Sequence, residues 1–126
     1  MMLPHFVSTK KTGDEAERLA ERFLIKRGLA LVARNYRCRH GEIDLIMYHG
    51  ETLVFVEVRL RKPLRGHADF GGALASITSS KQAKIITTAQ HYLAGLKHLP
   101  PCRFDVLLLN GLNLTGVEWL ASAFEA

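Results

Sequence analysis

Residues 41–61, GEIDLIMYHGETLVFVEVRLR, read as two apolar runs folded back around a glycine turn, and each run carries an acid, Asp44 in the first and Glu57 in the second. Strict apolar alternation pins strand register, because a one-residue slip turns every core side chain to solvent. A Gly-X pair suits a type II′ turn, so a turn centred on Gly50-Glu51 sets Asp44 opposite Glu57. The same register assigns Ile43, Leu45, Met47, Val54, Val56, Val58 and Leu60 to one apolar face, and Asp44, Ile46, Tyr48, Leu53, Phe55, Glu57 and Arg59 to the other. Directly opposed side chains have Cβ atoms about 4.5–5.5 Å apart, where like charges destabilise the pair. The two acids therefore call for a cation. One source is internal: Arg59 or a neighbouring arginine neutralises them and the hairpin end is a polar patch. The other is a hard divalent ion such as Mg²⁺, which takes one or two carboxylates and fills its remaining positions with water and phosphate oxygens.

The chain around this hairpin has 126 residues, 48% of them hydrophobic and 23% charged, which suits one domain spanning 1–126 with a real core and a flexible N-terminus over 1–11. MMLPHFVSTKK lacks the apolar run of a signal peptide, and no segment approaches the roughly 18 apolar residues of a membrane span, so a soluble cytoplasmic protein is expected. Cys38 and Cys102 have no ligand spacing, which argues against zinc and for free, partly buried thiols. The net charge of +5 fits an anionic partner. Placement sharpens this: Arg34, Arg37, Arg39 and His40 precede the hairpin, and Arg59, Arg61, Lys62, Arg65 and His67 follow the second acid.

Thr12-Gly13-Asp14-Glu15 matches a capping box, and Ala16, Leu19, Ala20 and Phe23 recur at helical spacing until Gly28, predicting a helix over 13–27. Residues 29–37 have strand composition, with Asn35 marking a bulge or kink. After the hairpin, 61–78 form the only long loop candidate. Ser79 as N-cap and Gln82 three residues on open a second helix carrying Ile85, Ile86, Ala89, Tyr92, Leu93 and Leu96. Residues 103–110 read as a buried strand and 117–120 as an edge strand. This order of helix, three strands, helix and two strands implies an α/β fold, a mixed sheet flanked by helices. Tyr48, His91 and Trp119 read as partly buried structural residues, and Asp105 has no assignable role.

Gly13 with Ala16-Glu17, Ala20, Phe23-Leu24, Arg34-Asn35-Tyr36-Arg37, GEIDLI, LVFVEVRLR, Lys81 and RFDV together, over about residues 12–110, resemble the YraN family, bacterial proteins similar to archaeal Holliday-junction resolvases. The resemblance implies a restriction-endonuclease-like fold of the PD-(D/E)xK superfamily, with about five strands. It also implies Mg²⁺- or Mn²⁺-assisted phosphodiester hydrolysis on structured or branched DNA, and a homodimer. Carried over by position, the catalytic set is Glu17, Asp44, Glu57 and Arg59; Asp44 and Glu57 are the metal ligands, with Glu17 and Glu42 as further candidates. Arg59 departs from the superfamily's lysine: an arginine stays protonated, so it orients or neutralises and does not take a proton.

Arg37, Arg39, Arg61, Lys62 and Lys81 are the candidate phosphate contacts, Lys81 at a helix N-terminus where backbone N–H groups favour anions. Two further readings stay open: a nucleic-acid-binding module with a degenerate nuclease site, and a structural or assembly partner with no nucleic-acid role.

Overall fold

The computed structural model describes residues 4–61 and 72–126, with side chains from Gly13 onward in the first stretch. The chain runs α1 (Pro4–Lys26), β1 (Leu29–Cys38), β2 (Gly41–His49), β3 (Thr52–Leu60), a 3-10 turn (Leu74–Ser76), α2 (Ser79–Leu93), β4 (Cys102–Leu109) and β5 (Glu118–Phe124). The five strands form one sheet in the order β1-β2-β3-β4-β5. Only β3 and β4 pair in parallel; the other neighbours are antiparallel. The α2 crossover joins the parallel pair, as a parallel connection requires. The architecture is α/β and restriction-endonuclease-like, a five-stranded mixed sheet flanked by two helices. Among the described residues no helix is long and apolar enough to cross a membrane.

Each helix covers one face. Ala16, Ala20, Phe23 and Leu24 of α1 pack on Leu45, Met47, Val54, Val56, Leu107 and Leu109. Ile85 and Ala89 of α2 pack on Ile43, Ile46, Leu53, Phe55 and Phe104. Burying a leucine such as Leu24, which is fully enclosed, contributes about 1.5–3 kcal/mol.

The hairpin register is the expected one, running from His49↔Thr52 to Leu45↔Val56. Gly50 has φ +61 while Glu51 is not among the positive-φ residues, the sign pattern of a type II′ turn. Alternation breaks at Asp44. Its Oδ2 accepts the Val58 N–H at 2.8 Å, so a carboxylate takes the place of a backbone partner where the recorded pairing of β2 with β3 stops. Ile43 consequently joins the α2 face with Ile46 and Phe55, rather than the α1 face that simple alternation gives it.

Three local expectations are corrected. α1 starts at Pro4, not at 13, so Thr12-x-x-Glu15 lies inside the helix; proline is at home in a first turn, and one internal glycine costs only about 1 kcal/mol. The N-cap of α2 is Thr78, not Ser79: its Oγ1 accepts the Lys81 N–H at 3.1 Å, while Gln82 Nε2 reaches back to the Ile77 carbonyl. In β1 the register shift falls between Leu31 and Ala33, whereas Asn35 supplies a left-handed residue at φ +51.

The thiols are free, Cys38 half-buried and Cys102 exposed, the latter more open than expected. His91 is also exposed, hydrogen-bonded through Nδ1 to the Tyr36 hydroxyl, whereas Tyr48 and Trp119 are half-buried. Asp105 acquires a role: fully buried, it accepts from Arg103, from Trp119 Nε1 at 2.9 Å and from the Ser122 N–H at 3.0 Å, tying β4 to β5. Lys62, Arg65 and His67 lie outside the described residues.

Candidate active site

Four acids meet where α1, β2 and β3 converge. Glu17 lies three and seven positions before buried Ala20 and Leu24, on the same side of α1, the side that packs on the sheet. Glu42 and Asp44 lie two apart at the start of β2, and Glu57 near the end of β3. One oxygen each from Glu17, Glu42 and Asp44 lies within 4.8 Å of the others. Glu57, 5% exposed, joins through a hydrogen bond with Asp44. Gly41 lets β2 begin tight against α2: at φ +150 it occupies backbone space that other residues rarely adopt, and a Cβ there would meet Thr88 Oγ1 at 3.1 Å.

The cations stand on the rim. Glu57 Oε2 has Lys81 Nζ at 3.7 Å and the Arg59 guanidinium at 3.8 Å, and Glu42 has Arg37 Nε at 3.4 Å. Lys81 is thus brought to the acids themselves, which its distance along the chain from Glu57 conceals in the sequence. Arg34 grips Glu21 with two hydrogen bonds of 2.7 and 2.9 Å. Arg39 shares an open groove of about 740 Å³ with Arg37, His40, Glu42, Lys81 and Lys84. Arg61 lies just past β3, its N–H bonded to the Leu109 carbonyl.

Crowding raises the proton affinity of these carboxyls. Burial, then the Asp44 charge, pushes Glu57 up to about 8 against the opposing pull of Lys81 and Arg59. Burial and Asp44 likewise raise Glu17 to about 7. Burial also raises Asp44, opposed by the Val58 N–H and by the hydrogen bond from Glu57. Asp44 is the common acceptor between two glutamates that hold protons near neutral pH.

The folded state therefore binds more protons than the unfolded chain between pH 4.5, the ordinary glutamate value, and about 8. In chelator, the stabilisation is complete below about pH 4.5 and is lost as pH rises through 7 and 8, so urea midpoints should fall between pH 5 and 8.5. Glu57→Gln should flatten that dependence; an unchanged slope would remove Glu57 from the coupled set.

The donor chemistry is compatible with a divalent cation. Glu17, Glu42 and Asp44 converge as hard carboxylate oxygens, without sulfur or imidazole in the group, the donor set of Mg²⁺ or Mn²⁺. Glu57 stands beside this group, not inside it, joined through its hydrogen bond to Asp44.

Comparison with known proteins places the chain among sequence relatives. The sequence profile of the uncharacterised protein family UPF0102 matches residues 16–109, a span that takes in all four acids and Lys81. A UPF0102 protein of Methylobacillus flagellatus is 56% identical over 118 residues, covering 93% of this chain and 99% of the relative. One from Nitrosospira multiformis is 55% identical over 113 residues, covering 90% and 92%. Another, from Psychromonas ingrahamii, is 48% identical over 126 residues and covers 99% of both chains. With its profile matched from the second half of α1 through β4, and with relatives aligned along nearly their whole length, this chain belongs to the UPF0102, or YraN, family.

Proposed function

We propose that the protein is a metal-dependent endonuclease acting on structured or branched DNA, and the observation that carries this reading is the convergence of Glu17, Glu42, Asp44 and Glu57 beneath Lys81 and Arg59. Glu17, Glu42 and Asp44 would hold Mg²⁺ or Mn²⁺, which when bound supplies charge neutralisation at the phosphate and a more acidic water. Asp44 is fixed for this work by its bond to the Val58 N–H. Glu57, protonated near neutral pH, orients Asp44. Lys81 supplies an ammonium from α2, where the neighbouring strand position offers Arg59. The ammonium and the guanidinium can both donate to the phosphate oxygens on which charge grows during displacement. Arg37, Arg39, Arg61 and Lys62 would contact the flanking backbone. A twofold-symmetric dimer would match the symmetry of a branched substrate.

The experiment is a cleavage screen over branched, nicked, single-stranded and duplex substrates with Mg²⁺ and Mn²⁺, using Asp44→Asn as the blank. The same proteins are melted in chelator and in Mn²⁺. A ligand that binds only the folded state adds about 2.7 kcal/mol at 100 times its Kd. Wild type should gain stability of that order and Asp44→Asn much less. Cation stabilisation and salt-dependent DNA binding without cleavage would leave a binding module; absence of DNA binding as well would leave an assembly partner.

A further inference from the structure

A groove separate from the one that holds Arg37, Arg39 and Lys81 is also rich in arginine. It has a volume of about 540 Å³ and is lined by Arg18, Glu21, Arg22 and Arg34. It shares Arg18, Glu21 and Arg34 with a smaller cavity of about 170 Å³ whose wall includes Glu17, Asp14 and Asn35. Glu42, in turn, lines the 740 Å³ groove with Arg37, Arg39, Lys81 and Lys84. Glu42 thus opens into one basic groove, and Glu17 into a mixed-charge cavity that shares Arg18, Glu21 and Arg34 with the other.

Arg18 and Arg22 are four apart on α1, so they stand one turn above the other on the same helix face. Both are exposed, and among the described residues neither is ion-paired. Glu21 is already occupied by the bidentate Arg34, so the one acid among the described residues of the larger groove does not neutralise the other two arginines.

Resting on the reading above, we infer that Arg18 and Arg22 form a second phosphate-binding arm, so that a nucleic-acid strand lies across the acids and continues past them toward both grooves. A strand bound in this way presents an internal phosphodiester to the acids, and its terminus lies beyond either groove. Arginines held on one helix face make contacts that position a backbone without reading its sequence. The arm also fits the excess of basic residues, because it adds cations outside the Arg37 and Arg39 groove.

The test is binding without metal, which separates this arm from catalysis. Fluorescence anisotropy on labelled DNA and RNA of one sequence, single-stranded and duplex, is measured in chelator from 50 to 200 mM salt. Arg18→Ala/Arg22→Ala is compared with Arg37→Ala/Arg39→Ala and with wild type. Each neutralised contact adds a log-log slope of about 0.9 on duplex and about 0.7 on single strands. Each double variant should therefore lose about 1.8 from the duplex slope and bind more weakly, and the quadruple variant about twice that. Unchanged melting temperatures confirm that the exposed substitutions leave the fold intact. If Arg18→Ala/Arg22→Ala keeps wild-type affinity and slope while Arg37→Ala/Arg39→Ala loses both, the second arm is overturned and the nuclease reading stands. If wild type shows no salt-dependent binding to any probe, both fall.

Discussion

Lys81→Met should slow single-turnover cleavage at saturating substrate by about 10²- to 10³-fold, the usual effect of removing one preorganised donor to a charged transition state. Methionine keeps the length and helix propensity of lysine, so α2 and its Thr78 cap should survive. The effect is expected in the rate, with affinity reduced only by the loss of one phosphate contact. The geometry behind this is the 3.7 Å approach of Lys81 Nζ to Glu57 Oε2, nearly matched by Arg59 at 3.8 Å from the same oxygen. An ammonium is therefore already present beside Glu57, and Arg59→Lys should change the rate less than Lys81→Met does. A rate unmoved by Lys81→Met but raised by Arg59→Lys would place the chemistry on the strand position and leave Lys81 as a phosphate contact.

Asp105→Ala should cost about 3–5 kcal/mol of folding stability, the range for removing one partner of a buried ion pair. Asp105 is fully buried beside Arg103, which is 20% exposed. Its oxygens also satisfy the Trp119 indole and the Ser122 N–H. Ser122 has φ +53, a conformation held in place by that bond to Asp105. Alanine therefore removes a charge partner, leaves two donors without their acceptor and releases a strained residue of β5 at once. Urea denaturation of wild type and variant at one pH measures the difference; a loss below 1 kcal/mol would show that water replaces the carboxylate.

What was legible in the sequence follows from the range of each interaction. The hairpin register was readable because turn chemistry and alternation act over neighbouring residues; it brought Asp44 and Glu57 near each other, although the ladder stops at Leu45↔Val56 before it would pair them. Ile43 was misassigned because alternation assumes an unbroken ladder, and at Asp44 a side chain interrupts it. The α2 cap was placed one residue late because Thr78 and Ser79 carry equivalent hydroxyls; only the backbone decides which one stays outside the helix. The residues that resemble the YraN family pointed to Glu17, which local patterning alone reads as one more acid near the start of a helix. Lys81 was read as a phosphate contact and its approach to Glu57 was missed, since that depends on how α2 docks. Arg18 and Arg22 were missed because arginines on an amphipathic helix look like its solvated face until the adjoining cavity is seen. The role of Asp105 was invisible for a similar reason: two of its partners, Trp119 and Ser122, are on another strand.

The bond from Val58 N–H to Asp44 Oδ2 makes one amide of the sheet a spectroscopic witness to the acids. Most backbone amides in a strand answer to a neighbouring carbonyl, whose basicity is nearly constant. This one answers to a carboxylate whose charge changes with protons and, on the proposed reading, with a bound cation. Its amide proton resonance should move downfield as Asp44 ionises and shift again when a divalent ion draws on the same carboxylate. Followed through a pH or Mn²⁺-analogue titration with diamagnetic Mg²⁺, the Val58 signal would report the occupancy of the centre from within the main chain, with no label and no turnover.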